Sequence, residues 1–147
     1  MRVLADTNIY ISYLLSPHQD SFVLFLFDKI ISGEITLLFS APLLNEIEVT
    51  VKRKPYLLKK IRETELIRFI QLLKGVSEEI PFITTKIPVA TRDPKDDYLI
   101  AYAILGKADY LVTVDQDLLV LGQVGKVKIV HSGEFRAMLK DRSSNAD

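Results

Sequence analysis

The chain has 147 residues, which bounds it to a single domain large enough to bury a real core. Its apolar content of 48% suits an ordinary α/β protein, and the absence of cysteine excludes a disulfide framework, a thiolate zinc site and a cysteine nucleophile. Lys and Arg total 19 and Asp and Glu total 19, so net charge makes no case for nucleic-acid binding, and any such case rests on where the charges sit.

Residues 2–6 are apolar at successive positions and end in Asp6, the pattern of a strand buried on both faces of a parallel sheet. Thr7 or Asn8 can cap the helix that follows, whose apolar residues are Ile9, Ile11, Tyr13, Leu14 and Leu15. After the break Ser16-Pro17-His18-Gln19-Asp20, Asp20 or Ser21 caps a second helix to about Ser32, with Gly33 as its stop. Its apolar run Phe22–Phe27 exceeds the needs of one helix face, which suits a thicker core or a protein-binding surface. It is far short of a membrane span, and the N-terminus lacks the pattern of a signal peptide. A cytoplasmic protein without membrane association is expected.

Glu34 to Phe39 reads as a second strand, and Ser40 caps the next helix with Pro42 in its first turn. Leu43, Leu44, Ile47 and Val51 share one face of that helix, flanked by Glu46 and Glu48, and Lys52-Arg53-Lys54-Pro55 ends it. A helix over about 63–74 closes at Gly75, and residues 76–82 form a weak edge strand containing acids. Asp93 is the cap, Pro94 the first residue and Asp96 the capping-box partner of the next helix, which Gly106 ends. Residues 109–113 and 127–130 are the fourth and fifth strands, with Asp115-Gln116-Asp117 leading a short turn after the fourth. Ser132 caps a last helix through Leu139. The expected architecture is a single domain over residues 1–140 with a polar tail at 141–147. It is a three-layer α/β/α sandwich around a central, mainly parallel, five-stranded sheet.

Strand ends and the first turns of the following helices share one edge of such a sheet. Asp6, Glu46, Asp115 and the group Asp93, Asp96 and Asp97 can therefore meet there. Carboxylates brought together raise one another's pKa, and a hard divalent cation with oxygen preference removes that penalty. Taken singly, Asp93 is fully explained as a cap, Asp96 complements a helix dipole, Asp117 suits a surface turn, and periodicity does not choose between Glu46 and Glu48.

Asp6-Thr7-Asn8, Leu43-Leu44-Asn45-Glu46-Ile47, Asp93-Pro94-Lys95-Asp96-Asp97 and the stretch Ala108 to Leu118 resemble the PIN domain, in particular the VapC-like toxins of toxin–antitoxin systems, from residue 1 to about 140. The resemblance implies a divalent-metal-dependent endoribonuclease, the toxin component of a type II toxin–antitoxin system. Its Mg²⁺ or Mn²⁺ would sit on the catalytic and metal-binding acids Asp6, Glu46, Asp96 and Asp115. Asp97 and Asp117 are auxiliaries, and Asp96 and Asp97 both match the third position, with Tyr98-Leu99 favouring Asp96. Asn8 and Thr113 resemble the polar residues that orient the first and fourth acids. One or two cations would bind a phosphate oxygen and activate water for in-line attack. An RNA substrate, a cognate antitoxin and a homodimer are implied as partners.

Lys52, Arg53, Lys54, Lys59, Lys60 and Arg62 place six positive charges in eleven residues. A solvated face explains most of them, and Arg53 and Lys54, nearest Glu46, are the candidates for RNA phosphates. Tyr13 and Tyr56 suit base stacking or plain packing. A receiver module would need an aspartate after the third strand, where Phe82-Ile83-Thr84 stands. A haloacid-dehalogenase-type phosphatase would need one at Asn8, and a histidine-pair mechanism finds only His18 and His131. The remaining alternative is a non-catalytic PIN-fold module that binds RNA or protein.

Overall fold

The computed structural model describes residues 1–19, 21–89 and 91–145. In chain order the elements are β1 (Arg2–Ala5), α1 (Thr7–Leu15), α2 (Phe22–Ile31), β2 (Thr36–Phe39), α3 (Ala41–Arg53), α4 (Pro55–Lys60) and α5 (Glu63–Val76). There follow β3 (Glu78–Glu79), α6 (Pro94–Leu105), β4 (Tyr110–Thr113), α7 (Gln116–Leu119), β5 (Gln123–Val124), β6 (Val127–His131) and α8 (Ser132–Asn145). The strands join in the order β3-β2-β1-β4-β6-β5, parallel throughout except for β5 against β6.

The sheet is mainly parallel, as its alternating pattern of strands and helices requires, but it has six described strands rather than five. The sixth, β5, is two residues long and folds back on β6 through a two-residue turn with Gly125 at φ +58°. So short a strand has no periodicity to read, and only the glycine marks the reversal. The acidic β3 is an edge strand as expected, shortened to Glu78–Glu79 because α5 passes through Gly75 to Val76 before Ser77 ends it. The last helix likewise continues past Leu139 to Asn145, so residues 141–145 are helical; residues 146 and 147 of the expected tail lie outside the described residues.

β1 is the centre. Val3 lies between Leu37 of β2 and Tyr110 of β4, and Leu4 between Leu38 and Leu111. Val3, Leu4, Ala5, Leu37, Leu38, Leu111 and Val112 are all inaccessible to solvent. Burial at successive strand positions requires cover on both faces, which the flanking helices supply. Tyr110 meets Phe135 of α8 edge-on at 5.5 Å, and Phe69 of α5 gathers Tyr10 and Tyr13 of α1 and Phe27 of α2 within 6.4 Å. The apolar run of α2 is thus spent mostly on packing: Val23 and Leu26 are buried, Phe22 stacks toward Phe135, Phe27 toward Phe69, and Leu24 alone of the run is exposed. No helix among the described residues is long and apolar enough to cross a membrane.

Caps fix where the helices start. Ser40 accepts from the amide of Leu43 at 3.2 Å, Ser21 from that of Val23 at 3.1 Å, and Asp93 from that of Lys95 at 2.9 Å. Asp20, the other candidate cap of α2, lies outside the described residues. Two expectations are corrected. α1 is capped by Asp6 rather than by Thr7 or Asn8, because Asp6 is the last extended residue and its Oδ1 accepts from the Thr7 amide at 2.7 Å. The capping box of α6 does not form: the Asp93 amide donates to Thr91 Oγ1, which leaves Asp96 without that duty.

Two glycines give opposite expectations. At Gly106 an added Cβ would stand 2.8 Å from Ile80 Cδ1, inside the core, whereas at Gly75, within α5, it would meet nothing within 4 Å. Gly106→Val is expected to lower the unfolding free energy by about 1–3 kcal/mol, and Gly75→Ala to raise it by about 0.5–1 kcal/mol. Urea titrations of the two variants check this, and shifts of the same sign would contradict the packing described.

Candidate functional site

The parallel sheet delivers Asp6 to its C-terminal edge at the end of β1 and Asp115 at the end of β4, next door. The Asp6 amide donates to Val112 O at 2.9 Å, which extends the β1–β4 ladder and holds the residue in register. Its two carboxylate oxygens have separate partners: Oδ1 takes the Thr7 amide, and Oδ2 takes the Thr113 hydroxyl at 2.9 Å. Thr113 is fully buried, and its oxygen also accepts from the Asp115 amide at 3.0 Å. One hydroxyl therefore ties the ends of β1 and β4 together. Asp115 caps α7 by accepting from the Asp117 amide at 2.9 Å.

Glu46 enters from the second turn of α3. Thr7 Oγ1 donates to Glu46 Oε2 at 3.1 Å, so adjacent residues of one turn hold two acids, Asp6 directly and Glu46 through Thr7. Glu48 takes the other side of α3 and lines an opening with Phe39, Ile70 and Lys74, away from Asp6. Helical periodicity does not separate the two glutamates, and only the family resemblance singles out Glu46. Thr7 went unrecognised as their selector, its only signal being its position between a strand-ending acid and a helix.

The first turn of α6 carries three acids with three placements. Asp93 caps the helix. Asp97 is buried and accepts from both the amide and the hydroxyl of Thr91, at 2.7 and 2.9 Å, which pins the approaching loop. The Asp96 carboxylate accepts no hydrogen bond among the described residues and lies among carboxylates, sharing an opening with Asp93 and Asp117. Asp117 is exposed and pairs at 3.6 Å with the exposed Arg92.

Electrostatics shows how these groups relate. Burial pushes the Asp6 carboxyl above the usual range, opposed by its hydrogen bonds from Thr113 and Thr7 and reinforced by the charges of Glu46 and Asp115. Asp96 is pushed up to about 6 by burial first, then by Asp115, Asp93, Asp6 and Asp117. Asp6 is therefore within electrostatic reach of Glu46, Asp115 and Asp96 alike. The donor set is oxygen throughout, which fits a hard cation, although among the described residues no three acids stand close enough to form a ready-made cage. Bringing them together needs a counter-charge.

The remaining candidates are less engaged. Asn8 is exposed and makes no hydrogen bond to an acid among the described residues; it lines a polar opening with Ser12 and Ser132. Arg53 and Lys54 are exposed at the far end of α3, Arg53 two turns from Glu46 and so about 10 Å along the axis. Tyr13 is taken up by its packing on Phe69 at 5.3 Å, and Tyr56 is exposed. His18 and His131 are at the surface, His131 accepting from the Gly133 amide.

The C-terminal edge of this parallel sheet thus presents acids from four separate elements, Asp6, Glu46, Asp96 and Asp115. The sequence matches the PIN domain family over residues 2–117, and the chain belongs to that family. PIN domains are generally nucleases and typically use divalent metal ions. In fold the chain is similar to one in the crystal structure of VapBC2 from Rickettsia felis bound to a DNA fragment from their promoter. The two are 17% identical, with a TM-score of 0.61 over 89% of this chain and 98% of that one. No curated protein matches the sequence.

The raised carboxyls have a stability consequence. Between about pH 4 and pH 6 native Asp96 keeps a proton that the unfolded chain, with its ordinary aspartate pKa near 3.9, has released. The unfolded state then binds fewer protons, so this group's contribution to stability falls as pH rises through that window and stays low above it. Relative to wild type, metal-free Asp96→Asn is expected to show a melting-temperature gain that grows from pH 4 to 6 and persists at pH 7. A gain that shrinks with rising pH would contradict the assignment.

Proposed function

We propose that this protein is a divalent-metal-dependent endoribonuclease, hydrolysing RNA phosphodiester bonds, and the toxin component of a type II toxin–antitoxin system. The observation that carries the nuclease reading is the placement of Asp6 within reach of Glu46, Asp96 and Asp115, with the Asp6 and Asp96 carboxyls raised toward protonation by burial and then by the neighbouring acids. Membership of the PIN family supports the same chemistry. The toxin role is supported by the fold shared with the VapBC2 structure, and a cognate antitoxin, a homodimer and a cytoplasmic setting are proposed with it.

Asp6, Glu46, Asp96 and Asp115 are the residues that would hold Mg²⁺ or Mn²⁺, with Asp117 at the margin of the site. Asp97 is assigned to the loop instead, since Thr91 occupies its carboxylate twice. When bound, the ion supplies Lewis acidity toward a phosphate oxygen and lowers the pKa of water. The protein's own part is positioning. Thr113 orients Asp6 Oδ2 and fixes the turn that carries Asp115, and Thr7 orients Glu46, so three of the four acids are pre-aimed by a neighbour that cannot itself ionise. Arg53 and Lys54, exposed about two turns beyond Glu46, are the candidates to meet the RNA backbone. Asn8 is the orienting candidate with least support, because its side chain turns to solvent.

A non-catalytic PIN-fold module that binds RNA or protein is the second reading. It is favoured by the lack of a ready-made three-acid cage among the described residues.

Incubating a mixed RNA pool with the protein and Mn²⁺ or Mg²⁺ separates the two. Endonucleolytic cuts that EDTA stops and Asp6→Asn abolishes are expected, and equal cutting by wild type and Asp6→Asn would remove the acids from the mechanism. RNA binding without cutting would establish the binding module. In the same assay Thr113→Val, near-isosteric but without the bridging hydroxyl, is expected to lose roughly 10- to 100-fold in activity. Unchanged activity would show that the bridge does not position the acids. Growth arrest on expression in bacteria, relieved by Asp6→Asn, is the outcome expected of a toxin.

A further inference from the structure

One opening on the surface shares a wall with the acidic group. It lies between α3 and α6, encloses about 270 Å³, and has Glu46 on its wall. Its α6 side is built from Lys95, Tyr98 and Leu99, spaced i, i+3 and i+4 and so on one helix face. Asp96 lies about 100° round the helix from Lys95 and lines a separate opening, with Asp93 and Asp117. Leu99 is buried at the groove, while Tyr98 and Val49 stand 49% and 47% exposed at its rim. Tyr98 stacks on no other ring among the described residues. Asn45, also lining the groove, brings an amide with donors and an acceptor.

We infer that this groove holds an unpaired base of the RNA beside the phosphate bound at the acids, with Tyr98 as its stacking platform. The identity of the substrate rests on the nuclease reading above. The volume is just below the range of small-molecule pockets, about 300–1,000 Å³, which admits one ring system and not a docked helix. Charge fits the same occupant. Lys95 gives the groove a cation for the neighbouring phosphate, and the groove's one carboxylate, Glu46, is shared with the acidic group. A free aromatic face accepts any base, and the Asn45 amide on the wall is placed to discriminate among base edges. Tyr98 is thus the base-binding residue of the groove and Asn45 its specificity-determining residue.

Binding of short fluorescent RNA oligomers tests this, measured with Ca²⁺ in place of Mn²⁺. Intact oligomers are compared with versions carrying one abasic position each. Removing the base at one position is expected to weaken wild-type binding roughly 10- to 100-fold. Tyr98→Ala should weaken intact RNA by a similar factor and the abasic oligomer no further, Tyr98→Phe should bind as wild type, and Val49→Trp, which fills the groove from its exposed rim, should repeat the loss. Unchanged RNA affinity in Tyr98→Ala overturns the inference, and is the result a groove built for a protein segment would give. Losses that multiply overturn it as well. RNA binding that depends on Tyr98 without any metal-dependent cutting removes the nuclease reading and leaves the base site standing; no RNA binding by wild type overturns both.

Discussion

Asp6 has nowhere else to go. β1 is solvent-free from Val3 to Ala5, its ladder with β4 continues through the Asp6 amide to Val112 O, and the carboxylate is engaged at both oxygens by Thr7 and Thr113. The acid is therefore held at the sheet edge against burial and against the charges of Glu46 and Asp115, both of which favour its protonated form. A surface carboxylate in that position would rotate into water. Here the backbone ladder and two hydrogen bonds prevent the rotation, and the remaining ways to relieve the repulsion are a proton or a cation. The other acids are arranged around this constraint.

The hydroxyls matter as much as the carboxylates. Thr113, donating to Asp6 and accepting from the Asp115 amide, couples two strand ends that lie far apart in sequence, and Thr7 performs the matching task between β1 and α3. Hydrogen bonds to an ionised carboxylate are among the stronger ones in proteins, so these contacts partly offset the cost of confining like charges. In α6 three acids within five residues are divided by geometry: Asp93 closes the helix, Asp97 anchors the loop through Thr91, and Asp96 is left to the electrostatic group. The adjacent face of the same helix, with Tyr98 and Lys95, lines the groove beside Glu46.

The exposed basic segment at the end of α3 complements this division. α3 begins at the acidic edge with Ser40 and runs outward to Arg53, carrying cations away from the carboxylates rather than pairing with them. Cations adjacent to the acids would neutralise them in place of a metal. Cations two turns away leave the acids without a cationic side chain in place of a metal.

Much of this was determined by sequence alone, because it depends on residues within a turn or two of one another. The unbroken apolar run before Asp6 specified a doubly buried strand, Ser40 and Asp93-Pro94 specified helix starts, and the alternation of strands with helices specified a parallel sheet with its acids on one edge. Tertiary structure decided what local pattern could not carry. Glu46 is separated from Glu48 by a hydrogen bond from Thr7, 39 residues upstream, and Asp97 from Asp96 by the loop that returns through Thr91. Asp6 is oriented by Thr113, 107 residues away, and β5 exists only because β6 is there to pair with. Periodicity and capping report the surroundings of a residue along the chain, whereas the partner of a carboxylate is set by strand register and helix packing, which bring distant residues into contact.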